Sequence, residues 1–173
     1  RKQTQYLSLI PGAGQALKTN YKITYDDSWN EMCTKCPIKV ELLYLFPNEK
    51  TPTQVAVRQN SLPKFTLLLP GDEKNITAIT LIMKACDIYQ ACTQTSKTVL
   101  VHPSSSLTIS DIYQISNMTS RCLRFGLVDE ALALSRSVFQ TMNTYQNAKE
   151  LVSQTMTLFQ EHISYLSDRL HSE

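Results

Sequence analysis

From Gln5 to about Val101 no stretch of the chain keeps a helical period. Apolar residues alternate or run in β-branched blocks, and turn-forming residues cut the blocks short. Tyr6 to Ile10, Asn20 to Tyr25, Ile38 to Phe46, Gln54 to Arg58, Lys64 to Leu69, Ile76 to Cys86 and Cys92 to Val101 read as seven strands. Between them stand Pro11-Gly12, Pro47-Asn48, Pro52, Pro63 and Pro70-Gly71-Asp72. Proline has no N–H to give a ladder, and glycine and aspartate suit tight turns, so each cluster closes a strand. Seven short strands in about 100 residues predict a Greek-key β-sandwich of the fibronectin type III or immunoglobulin-like kind.

At His102-Pro103-Ser104-Ser105-Ser106 the pattern changes and the apolar spacing becomes helical. Thr108 with Asp111 makes an N-cap of capping-box form, and Gly126 sits where a helix-ending glycine belongs. A second helix is expected over Val128 to Met142, with Asp129 and Glu130 at its positive N-terminal end. A third is expected from about Gln146 to Leu170, with Leu151, Thr155, Leu158, Phe159, His162, Ile163, Leu166 and Leu170 on one face. The predicted organisation is therefore a β-sandwich over 1–103 and a segment of about three helices over 104–173. Alone, those apolar stripes would be wet, so they need one another, the sandwich, or further chain.

An apolar fraction of 42% with 18% charged residues fits a packed globular core, and the formal net charge is only +2. Residues 1–103 hold 12 Lys/Arg against 8 Asp/Glu and the remainder 5 against 7, too even a spread for the clustered basic face that nucleic acid requires. No run of 18 apolar residues offers a membrane-spanning helix. The chain opens on Arg1-Lys2 without Met or a signal peptide, and it reads as a segment of a longer polypeptide.

Five cysteines lie at 33, 36, 86, 92 and 122, and two Asn-x-Thr sequons at Asn75 and Asn117. Together they favour a secreted or ectodomain setting. Zinc at Cys33 and Cys36 would need a second pair at similar spacing, whereas Cys86 and Cys92 are six apart across what reads as a hairpin. A redox role would place the pair at a helix start, but here Pro37 and a strand follow. Disulfides remain: Cys33 to Cys36 and Cys86 to Cys92 as local pairs, or cross-links between the two loops. Cys122 is then unpaired. Asn75 follows Gly71-Asp72 in a loop and is the more accessible acceptor, while Asn117 falls on an expected helix.

No catalytic constellation emerges. Gly12-Ala13-Gly14 lacks the third glycine of a dinucleotide fingerprint, and the residues after it are β-formers where a helix should start. Ser61-Leu62-Pro63-Lys64 imitates an S-x-x-K nucleophile, but its proline prevents the helical turn. His102, His162 and His171 are scattered, and no metal or cofactor is expected. Trp29 is read as core.

The stretch PGAGQALKTNYKITYDDSWNEMCTKCPIKVELLYLF, residues 11–46, resembles the recurring module of the receptor-for-egg-jelly (REJ) region of polycystin-like and related ciliary surface proteins. Pro11, Gly14, Ala16, Leu17, Thr19, Tyr21 and Ile23 fall at the module's spacing, followed by Trp29, Pro37, Leu43 or Tyr44, and Phe46. Phe65 to Pro70 and Ile82 to Asp87 resemble later strands of the module, so the likeness covers about 90 residues. A cysteine-bearing loop stands where the pattern is usually acidic, and the segment from Pro37 to Phe46 is longer than its simplest form.

The resemblance implies a fibronectin-III-like fold in a long extracellular array without enzymatic activity. The helices resemble the stretch that leads from such arrays toward a membrane-proximal domain. It further implies that Pro11 and Gly14 let the first strand cross between sheets, while Leu17, Tyr21, Ile23 and Trp29 pack the core. The expected role is a structural spacer and interaction module at the cell surface or ciliary membrane. Its expected partners are neighbouring modules of the same chain, other surface or filament proteins, and N-linked glycans. The alternative is a secreted recognition module that grips a carbohydrate or protein through the loops around Cys33–Cys36 and Cys86–Cys92.

Overall fold

The computed structural model describes residues 7–25, 39–59, 64–104, 106–146 and 148–171. Trp29, Cys33 and Cys36 lie outside them. The order of elements is β1 (Leu7–Ile10), β2 (Ala13–Gln15), β3 (Asn20–Tyr25), β4 (Lys39–Leu45), β5 (Thr53–Gln59), β6 (Lys64–Leu68), β7 (Thr77–Cys86), β8 (Cys92–His102), α1 (Ile109–Arg124), α2 (Val128–Met142) and α3 (Lys149–Leu170).

Among the described residues, eight strands divide into a three-stranded sheet, β1-β3-β6, and a five-stranded sheet, β2-β8-β7-β4-β5. The seven-stranded sandwich followed by a helical segment is thereby corrected: the class is mixed α/β, with two unequal sheets and three helices. The additional strand, β2, lies in the stretch whose glycines resemble a dinucleotide loop. Its three residues pair in parallel with Leu100 to His102, while β1 pairs antiparallel with β3. Pro11-Gly12 thus marks the change from one sheet to the other. Gly14 is required there, because a Cβ at this position would meet the Thr19 side chain at 2.5 Å, and that side chain accepts a 2.8 Å hydrogen bond from the Gln15 N–H.

Alternation along the strands builds one core from both sheets. β4 and β7 each bury every second residue, bringing Val40, Leu42, Tyr44, Ile79, Leu81 and Met83 inward to meet Tyr21, Ile23 and Phe65 of the smaller sheet. A fully buried aliphatic or aromatic side chain contributes about 1.5–3 kcal/mol, so this layer supplies most of the drive for closing the sheets.

The helices join the sheets rather than trailing from them. α1 begins with a complete capping box: Thr108 N–H donates to Asp111 Oδ2 at 2.8 Å, and Asp111 N–H donates back to Thr108 Oγ1. Gly126, at φ +73°, follows the end of α1 and turns the chain into α2. α2 lies against β5 and β6, strands at the borders of the two sheets. Ala131, Ser135, Ser137, Val138 and Thr141 are buried along it, and the small residues among them allow the helix close to the strands. A second core joins Leu17 and Leu68 to Ile112, Ile115, Val138 and Phe159 of the three helices.

Leu17 reaches that core from a left-handed backbone, φ 58°, which costs roughly 1–2 kcal/mol for a branched side chain. Its N–H bonds the carbonyl of Leu69 at 3.0 Å, so the sheet holds it in place. Ile163, expected on the buried stripe of α3, is 47% exposed. Ser164, Tyr165, Ser167 and Asp168 are exposed as well, so the cover of α3 by α1 ends near His162, and period alone does not reveal where a partner helix stops.

Candidate functional site

Two of the features that carried chemistry in the sequence stand at opposite ends of β7. Asn75 precedes the strand and Cys86 ends it, and ten residues of strand separate those ends by about 30 Å.

At the far end Cys86 and Cys92 are register partners and form a disulfide. Asp87 and Ala91, the next pair, are bonded from the Asp87 N–H to the Ala91 carbonyl at 3.1 Å, which leaves the cysteines as a non-bonded pair with side chains close enough to bridge. The tip is held by Asp87, whose Oδ1 accepts from the N–H groups of Tyr89 at 2.8 Å and Ala91 at 2.9 Å, and by Gln90 in a left-handed conformation at φ 65°. This turn presents Ile88 and Tyr89 to solvent, 53% and 81% exposed. Lys39, the first residue of β4, pairs with Cys86, so the chain enters that strand beside the disulfide.

At the near end a groove of about 390 Å³ opens between the β4–β5 turn, the 70–77 loop and the C-terminal turn of α2. Phe46, Pro47, Pro70 and Ile76 form its apolar walls, and Asn75, Thr77, Gln140 and Thr144 add polar groups. Asp72 organises the loop: its Oδ1 accepts from the backbone N–H of Lys74 and of Asn75, both at 2.8 Å, and from the Asn75 side-chain amide at 3.1 Å. The Lys74 N–H first, and the Asn75 N–H next, hold the Asp72 carboxyl below the usual carboxylate range. Two threonines of the α2 end fix the loop from behind, Thr141 Oγ1 accepting from Gly71 N–H at 3.1 Å and Thr144 Oγ1 from Glu73 N–H at 2.9 Å. Gln140 Oε1 is buried with no hydrogen-bond partner among the described residues, which leaves an acceptor without a donor beside the groove.

Asn117 is exposed on α1, but Thr119, the third residue of its sequon, is fully buried and donates to the Ile115 carbonyl at 2.9 Å. Of the two sequons only the Asn75 one lies in a loop. Cys122 has a free thiol, half-buried on α1, and desolvation with the nearby Glu130 charge pushes its pKa up. Leu17, Tyr21 and Ile23 are buried. Such positions hold the fold and offer nothing to a ligand.

The structure brings together pairs that sequence separation concealed. Ser116 Oγ lies 2.7 Å from His162 Nε2, joining α1 to α3 across 46 residues. Ser116 is buried and the imidazole packs edge-on against Phe159, so the pair acts as a clasp between helices. Arg58 of β5 pairs with Glu130 of α2 and lies over the Phe65 ring, 5.2 Å from its centroid. Among the described residues no group of three or more His, Cys, Asp or Glu is placed to hold a metal ion, and no described helix is long and apolar enough to cross a membrane.

No protein-family model matches the chain, and no curated protein matches it. Among solved structures, a superoxide reductase (neelaredoxin) from Ignicoccus hospitalis aligns at 12% identity with a TM-score of 0.36, covering 57% of this chain and 80% of that one. A likeness so slight bears on neither fold nor chemistry.

Proposed function

We propose that the chain is a non-catalytic extracellular module of a larger surface glycoprotein, of the REJ kind and ciliary, that acts as a structural spacer and protein-interaction unit. The supporting observation is the Cys86–Cys92 disulfide, made at a cross-strand site where two side chains face each other. Structural disulfides persist in oxidising compartments and are rare in reducing ones. The exposed Asn75 sequon points the same way. In this reading the partners are adjacent modules of the same chain, other surface or filament proteins, and N-linked glycan.

Expression through a eukaryotic secretory pathway, followed by intact mass with and without reductant, tests it. The expected product carries the Cys86–Cys92 bridge and glycan at Asn75. Free thiols at both positions together with a bare Asn75 overturn the proposal.

A second reading is favoured by one observation, the exposed Ile88 and Tyr89 on a turn that the disulfide closes. A recognition module would use such a pre-ordered aromatic tip to bind carbohydrate or protein at little entropic cost. Binding in a glycan array or pull-down that vanishes in Tyr89→Ala while the fold persists promotes it over the spacer.

A further inference from the structure

We propose that the groove beside Asn75 is a cradle for the first N-acetylglucosamine of a glycan attached to that residue, so that the sugar becomes part of the fold. The inference rests on the extracellular reading above.

Asn75 and Thr77, the first and third residues of the sequon, both line the groove. A sugar joined to Asn75 therefore starts at its rim. In the transfer itself the Asn75 side-chain nitrogen bonds to C1 of the sugar. The C1–oxygen bond to a lipid-pyrophosphate donor breaks, the lipid pyrophosphate leaves with the electron pair, and Nδ2 gives up one proton. The second Nδ2 hydrogen survives, and the hydrogen bond to Asp72 Oδ1, now 3.1 Å, needs only one. The loop geometry is accordingly the same before and after modification.

The groove also fits what the sugar brings. Its N-acetyl group carries a methyl group for the apolar wall of Phe46, Pro47 and Ile76, while Asn48 and Thr77 offer polar groups on the same lining. The volume, about 390 Å³, falls within the range of roughly 300–1,000 Å³ for clefts that bury small ligands.

The test compares protein secreted from eukaryotic cells and trimmed by an endoglycosidase to one N-acetylglucosamine with the sugar-free Asn75→Gln form, each with Ile76 and with Ile76→Ser, a change in the groove wall that keeps the sequon. The expected result is a Tm higher by about 3 °C with the sugar, an increment reduced in the Ile76→Ser background, and an NMR contact between the acetyl methyl and the Phe46 ring. A bare Asn75 overturns the extracellular reading and the cradle with it. A sugar that is present but adds no stability and touches no ring overturns the cradle alone.

Discussion

Ser137 Oγ donates a 2.9 Å hydrogen bond to the carbonyl of Leu68, which ties α2 to the last residue of β6 beside its pairing with Asn20 of β3. Removing the hydroxyl deletes a buried hydrogen bond, a loss of about 0.5–1.5 kcal/mol. Ser137→Ala is expected to lower stability by that amount in urea unfolding. Ser135→Ala is the control, because that hydroxyl returns only to the Ala131 carbonyl of its own helix. Equal effects in the two variants would show that α2 does not seal the strand through Ser137.

Tyr21 is fully buried, its hydroxyl has no hydrogen-bond partner among the described residues, and desolvation pushes its pKa up to about 12. A buried hydroxyl without a partner is a cost, so Tyr21→Phe is expected to raise stability by about 1 kcal/mol. A loss of that size in thermal or chemical unfolding would reveal a bond that the described residues do not include.

Burial pushes the His162 pKa down, against a smaller opposing pull from Glu161. The folded state therefore prefers the neutral imidazole, and protons favour the unfolded chain. The contribution is complete above the ordinary histidine value of about 6.5 and is lost as pH falls through the lower folded value. Tm measured from pH 8 to pH 5 is expected to fall more steeply for the native chain than for His162→Gln, and identical slopes would show that the ring is not sheltered between α1 and α3.

Gln90 holds a left-handed backbone at the β7–β8 tip, φ 65°. In a three-residue loop this position suits glycine. Gln90→Gly is expected to add up to about 1 kcal/mol, read as a higher denaturation midpoint, whereas Gln90→Val is expected to lower it. A drop with glycine would mean that the Gln90 side chain contributes more than its backbone costs.

Period and punctuation made much of this molecule legible. The long runs ending at Cys86 and beginning at Cys92 became β7 and β8, and Thr108 with Asp111 became a capping box, because in both cases neighbours in sequence decide the outcome. β2 escaped notice because three residues make no pattern, and their partners lie 87 positions away in β8. The place of α2 was hidden for a related reason. An apolar stripe announces burial without naming what covers it, although the run of small residues at Ala131, Ala133, Ser135 and Ser137 was a sign of close approach.

The groove was half visible. Asn75 stood out as a sequon after a turn, but Gln140 looked like any polar helix residue, and only folding shows that its carbonyl oxygen is enclosed. His162 and Ser116 were likewise unremarkable until two helices met.

The parallel pairing of β2 with β8 sets how this part of the chain responds to tension. Drawn toward Leu7 at one end and away past His102 at the other, these strands slide along a common axis in opposite directions. The links of Ala13, Gly14 and Gln15 to their partners are then loaded together in shear, where an antiparallel hairpin pulled from its open end would unzip one link at a time.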